Sequence, residues 1–271
     1  MQSWVDGQPA DTLSLKDRGL AYGDGLFETI AVKAGQPLLL ERHLARLAEG
    51  CLRLAITADH SLIRGELLAY AAALGEGVLK LILTRGDSLR GYAADPAAQA
   101  RRILQGSPPA TYPAAHAEQG IRLFPCATRL SEQPLLAGLK HLNRLEQVLA
   151  RSEWRDAEHA EGLMCDTGGR LIEGVFSNLF LVAEGRLLTP DLSRCGVAGV
   201  MRAEIVFQAE SLGIPVEIAD IGLDRLRQAD EVFVCNSVYG IWPVRACADL
   251  SWSVGPLTRK LQGISRALLD V

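Results

Sequence analysis

Apolar runs of strand length alternate along this chain with segments in which apolar residues recur at helical spacing. Residues 4–5 predict a short strand before a tight turn, and residues 26–32 predict a longer strand that turns back at residues 34–35. The apolar run at residues 38–40 is predicted to be the returning strand. A hairpin close to the N-terminus follows from this pattern.

Helical spacing begins directly after that run. Residues 41–51 are predicted to be helical, because Leu44, Leu47 and Cys51 fall on one face. Two further helices are predicted, over residues 61–74 and 257–269. Further strands are predicted over residues 78–84, 102–104, 121–124, 162–165 and 231–235.

A Pro- and Ala-rich stretch at residues 106–113 is the best candidate for a linker. We therefore predict an N-terminal domain over residues 1–106, a linker over residues 107–119 and a C-terminal domain over residues 120–271. A chain of 271 residues is long enough for two modest domains, each with its own core.

Composition narrows the class of protein. Apolar residues make up 48% of the chain and charged residues 22%, and the net charge is −4, so there is no basic field for nucleic acid. No apolar stretch approaches the roughly 18 residues needed to span a bilayer, and the N-terminus does not resemble a signal peptide. The six cysteines form no Cys-x-x-Cys pair, which indicates reduced thiols, no zinc site and a cytoplasmic location.

Lys140 is the strongest candidate for chemistry. It is one of only five lysines, follows an apolar run broken only by Gly138, and begins a segment with Leu142, Leu145 and Leu149 at helical spacing. An amine held against apolar surface loses hydration, which lowers its pKa and allows it to attack a carbonyl. The alternative is an ordinary lysine at a helix start with its amine in solvent.

Four motifs resemble those of the fold-type IV pyridoxal-phosphate enzymes. They are Arg-Gly-x-x-x-Gly-Asp-Gly-x-Phe-Glu at residues 18–28, Glu-Arg-His-Leu-x-Arg-Leu at 41–47, Lys-His-Leu-Asn-Arg-Leu-Glu-Gln-Val-Leu-Ala at 140–150 and Glu-x-x-x-x-Asn-Leu-Phe at 173–180. The lysine segment is similar to that of the aminodeoxychorismate lyase branch. The resemblance implies two α+β domains with pyridoxal 5'-phosphate held between them, in a homodimer.

The resemblance also implies roles for particular residues. Lys140 would bond to the cofactor and later act as the base, and Glu173 would pair with the pyridine nitrogen and keep the ring protonated. Arg42 would grip the phosphate, with Arg46 as a solvated neighbour on the same helix. Thr29 is a candidate for a second acid. The alternatives from the residues alone are a solvated arginine at position 42 and a structural salt bridge for Glu173.

Backbone and loop residues complete the implied site. In the family, the loop before a helix at residues 195–202 gives backbone donors to the phosphate, here Val197 and Ala198, and Asn236 and Ser237 close the same pocket. Ser237 equally suits a turn at a strand end. Substrate contacts are expected from Arg90, Tyr92 and Glu28. A plain surface loop is the alternative for the first two.

The implied reaction removes pyruvate from 4-amino-4-deoxychorismate to give 4-aminobenzoate. Glu28 is a departure from the lyase pattern. Glutamate at its position is common in the aminotransferase branch, whereas some lyases carry a small hydroxyl residue there. A D-amino-acid or branched-chain aminotransferase is therefore the second hypothesis. A protein that binds pyridoxal phosphate without catalysis is a third, although it would not need the carboxylate of Glu173. The expected partner is a small-molecule substrate.

Overall fold

The computed structural model describes residues 2–88, 91–95 and 98–270. The chain forms two compact units. One contains Met1–Ala110, Leu139–Asn143 and Asp270–Val271, and the other contains Thr111–Gly138 and Arg144–Leu269. The short stretch around Lys140 therefore belongs to unit 1, although the chain on either side of it belongs to unit 2.

The described residues of unit 1 form β1 (Trp4–Val5), β2 (Gln8–Pro9), α1 (Arg18–Tyr22), β3 (Gly25–Lys33), β4 (Gln36–Pro37), α2 (Leu40–Leu54), α3 (His60–Leu74), β5 (Gly77–Thr84) and β6 (Arg101–Ser107). The six strands form one sheet in the order β2-β1-β6-β5-β3-β4. The helices predicted over residues 41–51 and 61–74 and the strands predicted over residues 26–32 and 78–84 are confirmed to within a few residues. The glycine-rich stretch before β3 contains α1, whose first amides are capped by the Asp17 side chain.

The face of β3 that packs on α2 is apolar apart from Glu28. Leu26, Ile30 and Val32 share one buried core with Leu44 and Leu47 of α2. The prediction of a strand at residues 38–40 is wrong, because Leu39 adopts a left-handed conformation with φ of 53° and α2 begins at the next residue. Leu38 is nevertheless buried. That apolar run reflects burial and not strand pairing.

Unit 2 is built on a nine-stranded sheet. Its elements are α4 (Ala114–Glu118), β7 (Ile121–Leu130), α5 (Leu145–Arg151), β8 (His159–Asp166), β9 (Leu171–Gly174), β10 (Asn178–Ala183), β11 (Arg186–Pro190), α6 (Val200–Ser211), β12 (Val216–Ala219), α7 (Leu223–Arg227), β13 (Glu231–Asn236), β14 (Gly240–Cys247), β15 (Leu250–Ser251) and α8 (Pro256–Leu269). The strands β10, β13, β14, β7, β8 and β9 close into a ring, since β9 pairs with both β8 and β10.

The prediction of a helix that begins at Lys140 is wrong. Lys140 lies in an extended segment beside β3, where the Phe27 amide donates to the Lys140 carbonyl at 3.0 Å and the Leu142 amide donates to the Gly25 carbonyl at 3.0 Å. The helix α5 begins only at Leu145. The leucines that suggested a buried helical face at positions 145 and 149 are 76% and 60% exposed.

All six cysteines are buried, and none forms a disulfide with another. Among the described residues, no group of histidine, cysteine and carboxylate side chains could hold a metal ion. Within that same part of the chain, every helix is too short or too polar to cross a membrane.

Candidate active site

The amine of Lys140 lies against the face of an aromatic ring. Its Nζ is 4.2 Å from the centre of the Phe27 ring, and Lys140 itself is half-buried. Two backbone hydrogen bonds to β3, one at the Lys140 carbonyl and one at the Leu142 amide, fix its main chain. The residue is therefore held in a partly apolar position, and its role as a reactive amine stays a prediction.

Thr29 lies on the same face of β3 as Phe27, because side chains alternate between the faces of a strand. It is half-buried and stands opposite Lys80 of β5, whose Nζ is 5.3 Å from the Phe27 ring centre. Unit 1 thus brings the predicted acid Thr29 to the sheet face on which the Lys140 amine rests.

Glu28 lies on the opposite face of β3, against α2. It is 2% exposed, and its carboxylate accepts from His43 Nδ1 at 2.5 Å, from Arg46 Nε at 2.8 Å and from a second nitrogen of Arg46. Burial alone would raise the pKa of Glu28, but Arg46 and His43 outweigh it and lower the pKa to about 2. Both oxygens of Glu28 are therefore occupied within the protein.

The expectation that Arg46 is a solvated helix arginine is wrong. Its side chain is only 14% exposed, because it reaches into the core and neutralises Glu28. Burial also lowers the pKa of His43, so its ring is neutral at neutral pH and donates its Nδ1 proton to the carboxylate. Arg42 is half-buried on α2, and its assignment to the phosphate stays a prediction.

The predicted substrate loop is only partly described. Arg90 lies outside the described residues. Tyr92 is exposed, its ring centre is 5.4 Å from that of Tyr22, and its carbonyl accepts from Arg18 at 2.9 Å. Arg18 is buried and also donates to the Gly91 carbonyl at 3.1 Å. The arginine of the glycine-rich motif thus holds the backbone of this loop.

In unit 2, Glu173 is a buried carboxylate on β9. Its Oε2 accepts from the Val197 amide at 2.8 Å. Arg144, which precedes α5, carries a positive charge that interacts with Glu173, while burial lowers the pKa of this arginine. An amide donor and a nearby cation both favour a negatively charged carboxylate at this position.

The loop before α6 is tied to the chain that leads to the lysine. The Gly138 amide donates to the Gly196 carbonyl, and the Ala198 amide donates to the Gly138 carbonyl, both at 2.9 Å. The Val197 and Ala198 amides are therefore engaged within the protein, and their role as phosphate donors stays a prediction. The amides at the start of α6 follow Gly199, where no side chain caps the helix.

Gly199 is required by close packing. A Cβ there would lie 1.9 Å from Asn178 Oδ1, and Asn178 Nδ2 donates to the Val197 carbonyl at 2.8 Å. The asparagine of the Glu-x-x-x-x-Asn-Leu-Phe motif thus orders the loop in front of α6.

Asn236 and Ser237 lie where β13 ends. Asn236 Oδ1 accepts from the amides of Val238 and Tyr239 at 2.9 and 3.0 Å, and its Nδ2 donates to the Phe176 carbonyl at 3.3 Å. Asn236 therefore shapes a turn. Ser237 is half-buried in that turn.

Sequence reasoning missed two charged groups of unit 2, Glu161 and Arg144. Glu161 is fully buried on β8 and binds the loop that follows Glu173. A signal for it was present, because Glu161 directly precedes the strand predicted over residues 162–165, and a carboxylate buried there needs hydrogen-bond partners. Arg144 carried no such signal, since its proximity to Glu173 depends on the fold.

The family described as amino-transferase class IV matches residues 25–247, which is most of the chain. The chain belongs to that family. The expectation of a fold-type IV protein with two α+β domains is confirmed.

Two relatives carry the name of a lyase. The chain is 38% identical to the aminodeoxychorismate lyase of Vibrio harveyi over 268 residues, covering 96% of this chain and 98% of that protein. It is similar to the crystal structure of 4-amino-4-deoxychorismate lyase from Pseudomonas aeruginosa, with a TM-score of 0.98, 65% identity and coverage of 99% and 100%.

An aminotransferase shares the same fold. The branched-chain amino acid aminotransferase of Escherichia coli superposes with a TM-score of 0.86 at 24% identity, covering 99% of this chain and 94% of that one. At this identity the likeness shows the architecture alone. Fold similarity therefore does not separate lyase from aminotransferase, whereas the two lyase relatives do favour one branch.

Proposed function

We propose that this protein is a pyridoxal-phosphate-dependent lyase that converts 4-amino-4-deoxychorismate to 4-aminobenzoate and pyruvate. The observation that carries the proposal is the 65% identity to the Pseudomonas aeruginosa 4-amino-4-deoxychorismate lyase over 99% of this chain. The separately observed settings of Lys140 and Glu173 support it.

The residues present fit pyridoxal 5'-phosphate. Lys140 offers an amine held against an aromatic face, and Glu173 offers a buried, amide-bonded carboxylate suited to a protonated pyridine nitrogen. For the phosphate we propose Arg42, the backbone at Val197 and Ala198 together with the uncapped start of α6, and the turn at Asn236 and Ser237. When bound, the cofactor supplies an electron sink for charge that develops on the substrate carbon bearing the amine.

The proposed reaction requires the protein to place the substrate and to transfer a proton. The substrate ring becomes aromatic as the enolpyruvyl oxygen leaves, and this provides most of the driving force. Lys140 Nζ is needed to take the proton from the carbon that bears the substrate amine before that oxygen leaves. Thr29, on the sheet face where Nζ lies, is the candidate to hold or return a proton. The remaining contribution of the fold is placement.

Glu173 must stay negatively charged for its role. The Val197 amide and the charge of Arg144 both act in that direction, and the loop that contains Val197 is fixed by Gly138 and Asn178. Carboxylates held by such partners keep their orientation as well as their charge. This arrangement supports Glu173 as the partner of the pyridine nitrogen.

An aminotransferase remains the second candidate function, supported by the shared fold and by Glu28. The setting of Glu28 weakens that support. It faces α2 and binds His43 and Arg46 with both oxygens, so its presence is explained by the packing of unit 1. Substrate contacts are proposed for Arg90 and Tyr92, and a contact by Glu28 would require it to leave these partners.

We also infer a cytoplasmic homodimer. Leu145, Val148 and Leu149 expose an apolar face of α5, and a patch of this kind is typical of a protein interface. The buried, unpaired cysteines suit a reducing compartment. Sedimentation of the purified protein at the mass of a single chain would contradict the dimer, and cell fractionation tests the location.

The direct test of the activity is product formation. Purified protein loaded with pyridoxal phosphate is incubated with aminodeoxychorismate, and 4-aminobenzoate is followed by its fluorescence. The Lys140→Ala variant serves as the control and should form no product. Absence of product from the wild-type protein would refute the lyase.

A further inference from the structure

The loop at residues 174–177 joins the two motif residues Glu173 and Asn178. These two residues also pair directly across β9 and β10. Within the loop, the Gly174 amide donates to the Ser177 carbonyl at 2.7 Å. The conformation of this loop therefore determines where both motif side chains point.

Glu161 is the main partner of the loop. It is fully buried on β8, and its Oε1 accepts from the amides of Gly162 at 2.8 Å and Val175 at 3.0 Å. Its Oε2 accepts from Ser177 Oγ at 2.7 Å and from the Phe176 amide at 3.3 Å. One carboxylate thus collects three donors from three consecutive loop residues.

The loop is packed tightly onto this carboxylate. A Cβ at Gly174 would lie 2.2 Å from Ser177 Oγ and 2.9 Å from the carboxyl carbon of Glu161. On the other side, the Phe176 carbonyl accepts from Asn236. Glycine at position 174 is therefore required for the approach, and the loop is held from both β8 and the end of β13.

We propose that Glu161 is a positioning residue that sets the orientation of Glu173 and Asn178 through the 174–177 loop. No described residue forms a salt bridge with it. The catalytic consequence rests on the proposed function, whereas the structural consequence does not. Glu161 would act without touching substrate or cofactor.

The ionised form of Glu161 suits this role best, because an ionised carboxylate accepts hydrogen bonds from every donor around it, whereas a protonated one must also donate. Burial raises the pKa of Glu161 to about 7. Glu161 also interacts with Tyr112, Tyr239 and Cys126, none of which carries a positive charge. The hydrogen bonds from the backbone amides and from Ser177 oppose the effect of burial on its pKa.

Hydrogen exchange of the cofactor-free protein tests the structural part. Glu161→Gln replaces an acceptor with a donor that faces loop amides, so amide exchange in residues 175–177 should accelerate roughly tenfold or more. Glu231→Gln is the matched control, because Glu231 is also buried and accepts from two backbone amides, those of Leu257 and Thr258. It should accelerate exchange at residues 257–258 and leave the 174–177 loop unchanged.

Turnover by the cofactor-loaded enzyme tests the catalytic part. Glu161→Gln should lower kcat about tenfold or more with KM changed less than about threefold, since the loop orients Glu173 and does not bind substrate. Ser177→Ala removes one of the hydrogen bonds and should show a smaller change in the same direction. This milder variant decides the question if Glu161→Gln does not fold.

The outcomes separate the two claims. Unchanged exchange at residues 175–177 in both variants overturns the proposal, as does accelerated exchange with unchanged kcat. A wild-type protein with no lyase turnover would refute the proposed function instead. In that case the exchange data would still decide whether Glu161 holds the loop.

Discussion

Replacing Glu28 by glutamine should strongly destabilise unit 1. The carboxylate lies in the core with its charge balanced by Arg46, whose guanidinium is itself mostly buried. Glutamine keeps the size of the side chain but removes the charge, and it leaves Arg46 and the His43 donor with a weaker partner. Breaking a buried ion pair in this way leaves one charge uncompensated in a medium of low polarity.

Two estimates of the magnitude agree. Removal of one partner of a buried pair typically costs about 3–5 kcal/mol. The pKa of Glu28 falls from 4.5 to about 2 on folding, which corresponds to about 3 kcal/mol of stability. Because the folded-state pKa is lowered, this stability is present above about pH 4.5 and is lost as the pH falls towards 2.

The assay is unfolding of the cofactor-free protein by heat and by denaturant. For a loss of about 3 kcal/mol, the Tm of Glu28→Gln should fall by roughly 6–12 °C at neutral pH. The deficit should shrink as the pH is lowered from about 4.5 towards 2, since the unfolded wild-type chain then binds a proton at Glu28 that the folded protein does not bind. The double variant Glu28→Gln, Arg46→Met, which removes both charges, should recover much of the loss.

Glu41→Gln is the matched control on the same helix. Glu41 pairs with Arg64 at the surface, where both side chains are solvated, so this change should leave the Tm nearly unchanged. A Glu28→Gln variant as stable as that control would refute the view that Glu28 belongs to a buried ion pair. Equal destabilisation in the single and double variants would refute the role of charge.

The remaining predictions concern the cofactor. Borohydride should fix pyridoxal phosphate to the peptide containing Lys140, and recovery on any other lysine would reject that residue. Arg42→Ala should weaken binding of the cofactor roughly tenfold or more, while Arg53→Ala, exposed on the same helix, should not. If Arg46→Ala weakened binding of the cofactor and Arg42→Ala did not, Arg46 and not Arg42 would be the residue that binds the phosphate. Glu173→Gln should lower kcat greatly with a modest change in KM. A raised KM with an intact kcat would indicate that Glu173 has a structural role only.

Local patterns predicted much of the fold. The helix α2 follows from three apolar residues on one face, and β3 and β5 follow from apolar runs of strand length. The apolar run at residues 38–40 was wrongly predicted to be a strand, because buried residues and paired strands give the same local pattern. The left-handed conformation of Leu39 shows that the run is not a strand. The leucines near Lys140 led to the wrong prediction of a helix beginning at Lys140 for a related reason. Their helical spacing is real from Leu145 onwards, but that face is exposed.

The residues of the candidate site could be predicted where they belong to a sequence motif. Their contacts could not be predicted where the two partners are distant in sequence. The extended segment of Lys140 and its aromatic neighbour Phe27 are brought together by backbone pairing over more than a hundred residues. Alternation along β3 could have placed Glu28 and Thr29 on opposite faces. It could not have shown that Arg46 reaches Glu28, because that depends on how α2 packs. The same holds for the Val197 amide on Glu173.

The central claim is that the enzyme is a lyase and not an aminotransferase. The most direct measurement is the number of turnovers of aminodeoxychorismate with no keto acid present, under an excess of substrate over enzyme. A lyase releases the substrate nitrogen with the aromatic product, so we expect many equivalents of 4-aminobenzoate and pyruvate for each active site. An aminotransferase keeps the nitrogen until a keto acid removes it. Turnover that stops after one equivalent and resumes only when 2-oxoglutarate or pyruvate is added would contradict the account.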